Sequence, residues 1–144
     1  MKVADYMVKD VTTLDETTHL LDAVLLIRRS GKRHIPVVDA EGKPIGIITD
    51  RDIARVAPSM LTPMHADTYN QLFENTSVTK AMSTPPLTIS PNAPVADAVD
   101  MLHMQKVGAL CVVNDAGALI GILTVTDMLG LLHELLVKTA GANA

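Results

Sequence analysis

Two short polar patterns stand out for the chemistry they permit: Thr49-x-x-Asp52 and Thr124-x-x-Asp127. Each falls where an apolar stretch passes into a helical pattern, so each sits at a strand-to-helix junction. Two uses fit that place. In a capping box, Thr is the N-cap and an acid three residues on closes back onto its N–H. The second use exploits the same geometry. A helix start offers free N–H groups to an anion, Thr adds a hydroxyl donor, and Asp supplies two acceptor oxygens that can grip a ribose 2′,3′-diol. Such a junction suits a nucleotide, with the diol on Asp and phosphate near Thr and the helix end. Both uses stand open at this point.

Other chemistries have little to work with. Cys111 is alone, so neither an intramolecular disulfide nor a cysteine zinc site can form. It reads as a small buried hydrophobe. His103 lies between Met101 and Met104, but two methionines three apart on a helix read as core packing rather than soft metal ligands. His133-Glu134 lacks the second histidine of a zincin helix, and His19, His65 and His133 have no partner at metal-ligand spacing. There is no Gly-x-Gly-x-x-Gly, no phosphate-loop lysine and no Gly-x-Ser-x-Gly elbow. Asp15-Glu16 and Asp50/Asp52 sit among polar residues and read as wet carboxylates. The expectation is a protein that is not an enzyme and has no metal site.

Composition narrows the partners. The chain is 48% apolar, yet only Tyr6, Tyr69 and Phe73 are aromatic, so its core must be aliphatic. A net charge of −4 argues against nucleic acid as the main partner, because phosphate backbones are held by clustered Lys and Arg. Platforms for stacking bases need aromatics that are missing. The opening MKVADYMVKD is too polar for a signal peptide, and no apolar run approaches the ~18–20 residues that span a bilayer. The expected location is the cytoplasm, with no membrane insertion.

The elements that position the two junctions repeat. Residues 3–53 align with 78–128 at a constant offset of 75, and 14 of the 51 positions are identical. Besides the two Thr–Asp pairs, the polar identities are Thr13/Thr88 and Asp22/Asp97; the acids suit the first turn of a helix. Each copy reads the same way. Val11–Leu14 and Leu87–Ile89 are extended. Leu20–Arg29 and Val95–Met104 are helical, with Gly31 ending the first and Pro94 opening the second. Ile35–Val38 with Ile45–Thr49, and Leu110–Val113 with Leu119–Thr124, form hairpins. Helices then start near Asp50 and at Asp127.

The result is an α/β (α+β) fold, a tandem pair of β-α-β-β-α units related by a pseudo-two-fold axis. The expected division is repeat one over 1–57, a partly helical crossover linker over 58–77, repeat two over 78–138 and a flexible tail over 139–144. Pro58 and Pro63 break structure in the linker, and His65–Glu74 reads as one helix. The closing helix, Asp127–Lys138, carries more apolar residues than one ordinary buried face. It is either a well-buried helix or a homodimer interface.

The strand Ile35-Pro36-Val37-Val38-Asp39, a Gly turn, Gly46-Ile47-Ile48-Thr49-Asp50-Arg51-Asp52 and its copy Gly121-Ile122-Leu123-Thr124-Val125-Thr126-Asp127 resemble a CBS domain, and the two copies together resemble a CBS pair, or Bateman module. The resemblance covers about residues 1–137. It implies a regulatory module that binds an adenosine-containing ligand in clefts between the repeats. AMP, ADP or ATP lead; NAD, S-adenosylmethionine and coenzyme A follow, and none is obligatory. In the first implied cleft Thr124 and Asp127 face Val11, Thr12, Thr13, Arg33, His34, Ile35 and Pro36. In the second, Thr49, Arg51 and Asp52 face Leu87, Thr88, Ala109 and Leu110. Aliphatic walls would hold the base.

The two clefts are not copies. Lys32-Arg33-His34 becomes Val107-Gly108-Ala109, Arg51 becomes Thr126, and Pro36 becomes Cys111. Cations favour phosphate through charge-assisted hydrogen bonds, so phosphate affinity belongs where Arg33, His34 and Arg51 reach. Lys32 and Arg33 also suit a solvated helix C-terminus. The leading expectation is a nucleotide-sensing regulator that acts on a separate, unidentified protein. The alternative is a structural, dimerising module with empty clefts.

Overall fold

The computed structural model describes residues 1–56 and 66–142. In order, the elements are β1 (Leu14–Asp15), α1 (Leu20–Ser30), β2 (His34–Val38), β3 (Pro44–Thr49), α2 (Asp50–Val56), α3 (Ala66–Asn75), β4 (Thr88–Ile89), α4 (Val95–Gln105), β5 (Ala109–Val113), β6 (Leu119–Thr124) and α5 (Val125–Ala142). Short 3-10 turns at Val3–Asp5 and Val78–Lys80 open the two copies. Each copy has the expected β-α-β-β-α order. Pro58, Pro63 and His65 lie outside the described residues, whereas the linker helix is present as α3.

Two three-stranded sheets, β1-β2-β3 and β4-β5-β6, each join one parallel and one antiparallel pair. The registers repeat along with the sequence. His34 pairs with Thr49, and Ala109 with Thr124. The middle strands are buried on both faces: Ile35, Pro36 and Val37 in succession, and Leu110, Cys111 and Val112 in succession, are fully buried, as are Ile48 and Leu123.

The compact units do not follow the repeat limits. One comprises Thr12–Pro86, the other Met1–Val11 with Leu87–Ala144. Each unit takes in the segment that leads the other repeat. In the first unit Val78 packs with Leu20, Ile35 and Phe73, and Ser83 exchanges both backbone hydrogen bonds with Ile47 at 2.9 and 3.0 Å. In the second, Val3 packs with Ile89, Leu102 and Leu110, and Val8 exchanges the same pair of bonds with Ile122. The leading segments therefore extend the outer edge of β3 and of β6, where unpaired N–H and C=O groups would otherwise remain. Gly46 and Gly121 make the approach possible. A Cβ at Gly121 would lie 2.6 Å from Met7 Sδ and 3.2 Å from the Val8 carbonyl, and one at Gly46 would lie 3.0 Å from the Ser83 carbonyl.

Helix ends show where chemistry and sequence part. α1 stops at Gly31, whose φ of 70° closes a left-handed cap. α4 stops the same way at Lys106, a non-glycine residue at φ 55°. α5 runs on to Ala142, so residues 139–142 are helical rather than a flexible tail. The apolar pattern fades near Lys138, but no proline follows to stop the backbone, and Thr139 bonds back to the Leu135 carbonyl.

The apolar stripe of α5 is not buried within the chain. Leu131 is the one buried residue of the helix, while Val125, Leu129, Leu132 and Leu136 are exposed at spacings of four, three and four. Met104 also corrects the core reading: Met101 packs against the second unit's core, but Met104 is 65% exposed.

Candidate functional site

Both Thr–Asp pairs close as capping boxes. The Thr49 N–H donates to Asp52 Oδ2 at 3.0 Å, and the Asp52 N–H donates to Thr49 Oγ at 3.1 Å. The second pair repeats this at 2.9 and 3.2 Å, with a further bond from the Thr124 hydroxyl to Asp127 Oδ2. In each box one carboxylate oxygen is committed to the helix start, and the other oxygen decides what the site can do.

In the first unit that oxygen is engaged. Asp52 Oδ1 accepts from Ser83 Oγ at 2.9 Å and from the Arg55 guanidinium at 3.2 Å. Asp52 is only 2% exposed, so it is not the wet carboxylate expected from its polar neighbours. Burial of a charge demands this many partners. In the second unit Asp127 is half-buried, and no described residue donates to its Oδ1.

The strand starts differ as well. Cys111 donates its N–H to the Leu87 carbonyl at 2.9 Å. At the equivalent place Pro36 has no N–H to give, and no described residue donates to the Thr12 carbonyl. Cys111 is buried and its thiol is pushed up to about 12 by desolvation, as suits an inert core residue.

His34 stands at the start of β2, opposite Thr49. Desolvation holds its pKa below the ordinary 6.5; the carboxylates of Asp50 and Asp52 pull the other way, and Arg33 adds to the lowering. His34 is therefore neutral near pH 7. Arg33 and Arg51 are exposed, and neither is paired with a carboxylate among the described residues. They keep their charge available for an anion.

Of the residues singled out from sequence, the first unit holds Thr12, Thr13, Arg33, His34, Ile35, Pro36, Thr49, Arg51 and Asp52. The second holds Val11, Leu87, Thr88, Ala109, Leu110, Thr124 and Asp127. Each unit brings its Thr–Asp pair beside its own strand start. Ile35 and Leu110 are not free walls, because both are fully buried in the cores of their units. Ser83 and Arg55 were missed. Their signal was present in the repeat comparison: the equivalent residues are Val8 and Gly130. No group of three metal-ligating side chains occurs among the described residues.

The family profile described as CBS domain matches residues 3–59 and 77–134. The chain belongs to the CBS domain family. It is 32% identical over 134 residues to a CBS domain-containing protein from Dictyostelium discoideum, spanning 93% of this chain and 92% of that one. Other relatives are longer: a homoserine O-acetyltransferase from Methanohalophilus mahii is 30% identical over 133 residues, and the chain spans only 25% of it. Among solved structures, CBSX2 in complex with AMP aligns with a TM-score of 0.79 at 24% identity, covering 92% of this chain and 97% of that one. The CBS domain pair of MJ0100 in complex with 5′-methylthioadenosine and S-adenosyl-L-methionine aligns at 0.75 and 24%, covering 93% and 97%. At that identity the likeness is one of fold. This chain is thus a CBS pair, a regulatory module. None of its helices among the described residues is long and apolar enough to cross a membrane.

Proposed function

We propose that this CBS pair binds an adenosine-containing ligand, with AMP, ADP or ATP ahead of NAD, S-adenosylmethionine and coenzyme A. One binding set joins Thr124 and Asp127 to Val11, Thr12, Thr13, Arg33, His34 and Pro36, with Ile35 kept in the core of its unit. The other joins Thr49, Arg51 and Asp52 to Leu87, Thr88 and Ala109, with Leu110 kept in the core of its unit. The observation that carries the reading is Asp127, held at a helix start by one oxygen and free at the other. A carboxylate oxygen in that position accepts a ribose hydroxyl through a charge-assisted bond. Arg33 supplies the cationic side for phosphate, with the neutral His34 imidazole beside it as a hydrogen-bonding group. The adenosyl ligands of CBSX2 and MJ0100 support the ligand class.

Ligand acts by differential affinity for two arrangements of the chain. The regulated target is a separate protein, and the module works in the cytoplasm. The exposed stripe of Val125, Leu129, Leu132 and Leu136 supports a homodimer: its four-three-four spacing is that of a helix seam, and a second copy presents the same seam. Sedimentation of Leu132→Lys against the unaltered chain tests this, with a shift to monomer expected.

A second reading, a dimerising module with empty sites, draws on the closed box at Asp52. A thermal-shift panel of the six ligands separates the two. A ligand at ~100 times its dissociation constant stabilises the fold by about 2.7 kcal/mol, or roughly 5–10 °C for a chain of this size. No shift with any of the six would leave the second reading standing.

A further inference from the structure

The two proposed binding sets differ in whether their acceptors are already used. Asp52 Oδ1 is taken by Ser83 and Arg55. The residues equivalent to these, Val8 and Gly130, bring no hydroxyl and no guanidinium, and Asp127 Oδ1 stays unpaired among the described residues.

Asp127 Oδ1 is thus a free acceptor within its unit, and Asp52 Oδ1 an engaged one within its own. A ligand hydroxyl or amine gains a bond at a free acceptor but must break an internal bond at an engaged one.

We infer that the chain takes up one nucleotide, at Asp127, and that Ser83 and Arg55 close Asp52 to a second. Ser83 and Arg55 are thus the residues that set the stoichiometry. This rests on the nucleotide-binding reading above.

Exchanging the closing residues between the repeats tests it. Equilibrium dialysis of the intact chain with radiolabelled AMP and ATP is expected to give one site per chain. Val8→Ser with Gly130→Arg carries the closing groups to Asp127 and is expected to weaken binding at least about tenfold. The space is there, because a Cβ at Gly130 meets nothing within 4 Å. Ser83→Val with Arg55→Gly is expected to open a second site. Should that pair fail to fold, as read by circular dichroism, the first pair still decides. Two equal sites in the unaltered chain, or undiminished affinity in folded Val8→Ser/Gly130→Arg, would overturn the inference while nucleotide binding stood. No binding of either nucleotide by the unaltered chain would overturn the nucleotide reading itself, and this inference with it.

Discussion

Asp52 and Asp127 occupy equivalent places in the repeat, yet truncating them should cost very different amounts. Asp52→Ala removes a capping carboxylate, which is worth about 1 kcal/mol on its own. It also strands the Ser83 hydroxyl and removes a part-buried charge-assisted bond of 2.9 Å, a class worth about 1.5–3 kcal/mol before relaxation. Ser83 is exposed and recovers a bond to water, so the lower end applies. The Arg55 pair adds almost nothing, because the Arg55 side chain is 65% exposed and screened by solvent. The sum is about 2–3 kcal/mol. Asp127→Ala loses only its cap, in a half-buried setting, for about 1 kcal/mol. Urea unfolding followed by circular dichroism should therefore show Asp52→Ala less stable than Asp127→Ala by about 1–2 kcal/mol. Equal costs, or a larger cost at Asp127, would refute the claim that Asp52 is structurally consumed and Asp127 is not.

Three further outcomes follow from the fold. Gly46→Ala and Gly121→Ala should each destabilise by about 1–3 kcal/mol through overpacking, Gly46→Ala more because the Ser83 carbonyl is closer than the Val8 carbonyl; hydrogen exchange at Ser83 and Val8 should quicken accordingly. Lys106→Gly should raise stability by about 0.5–1 kcal/mol, read as a higher melting temperature, because it relieves a left-handed residue. Stability should fall as pH drops below 6.5: the folded His34 resists protonation while the unfolded one accepts it, so the unfolded state binds more protons across that window. His34→Gln should flatten this slope in urea melts taken between pH 7.5 and 5.

The repeat made the fold legible. Continuous apolar runs in the hairpin strands, Gly31 after α1 and Pro94 before α4 marked those elements to within a residue or two, because these signals act locally, whereas β1 begins at Leu14 rather than Val11. The exchange of leading segments was not legible, since residues 3–11 and 78–86 carry no signal for which edge strand they pair with. Only Gly46 and Gly121 hinted at it, as glycines inside strands. Burial of Asp52 was hidden for a related reason: its partner Ser83 is 31 residues away. The stripe on α5 was visible as too wide for one face, but whether a neighbour within the chain covers it depends on packing that no local pattern encodes.

The central claim is that this CBS pair holds an adenine nucleotide through Asp127. Isothermal titration of AMP, ADP and ATP into the intact chain and into Asp127→Asn tests it most directly, since Asn keeps an oxygen to accept the Thr124 N–H. The account predicts saturable binding of at least one of the three to the unaltered chain, weakened at least about tenfold in the variant. Heats no larger than dilution for all three, or equal affinity in the variant, would contradict it.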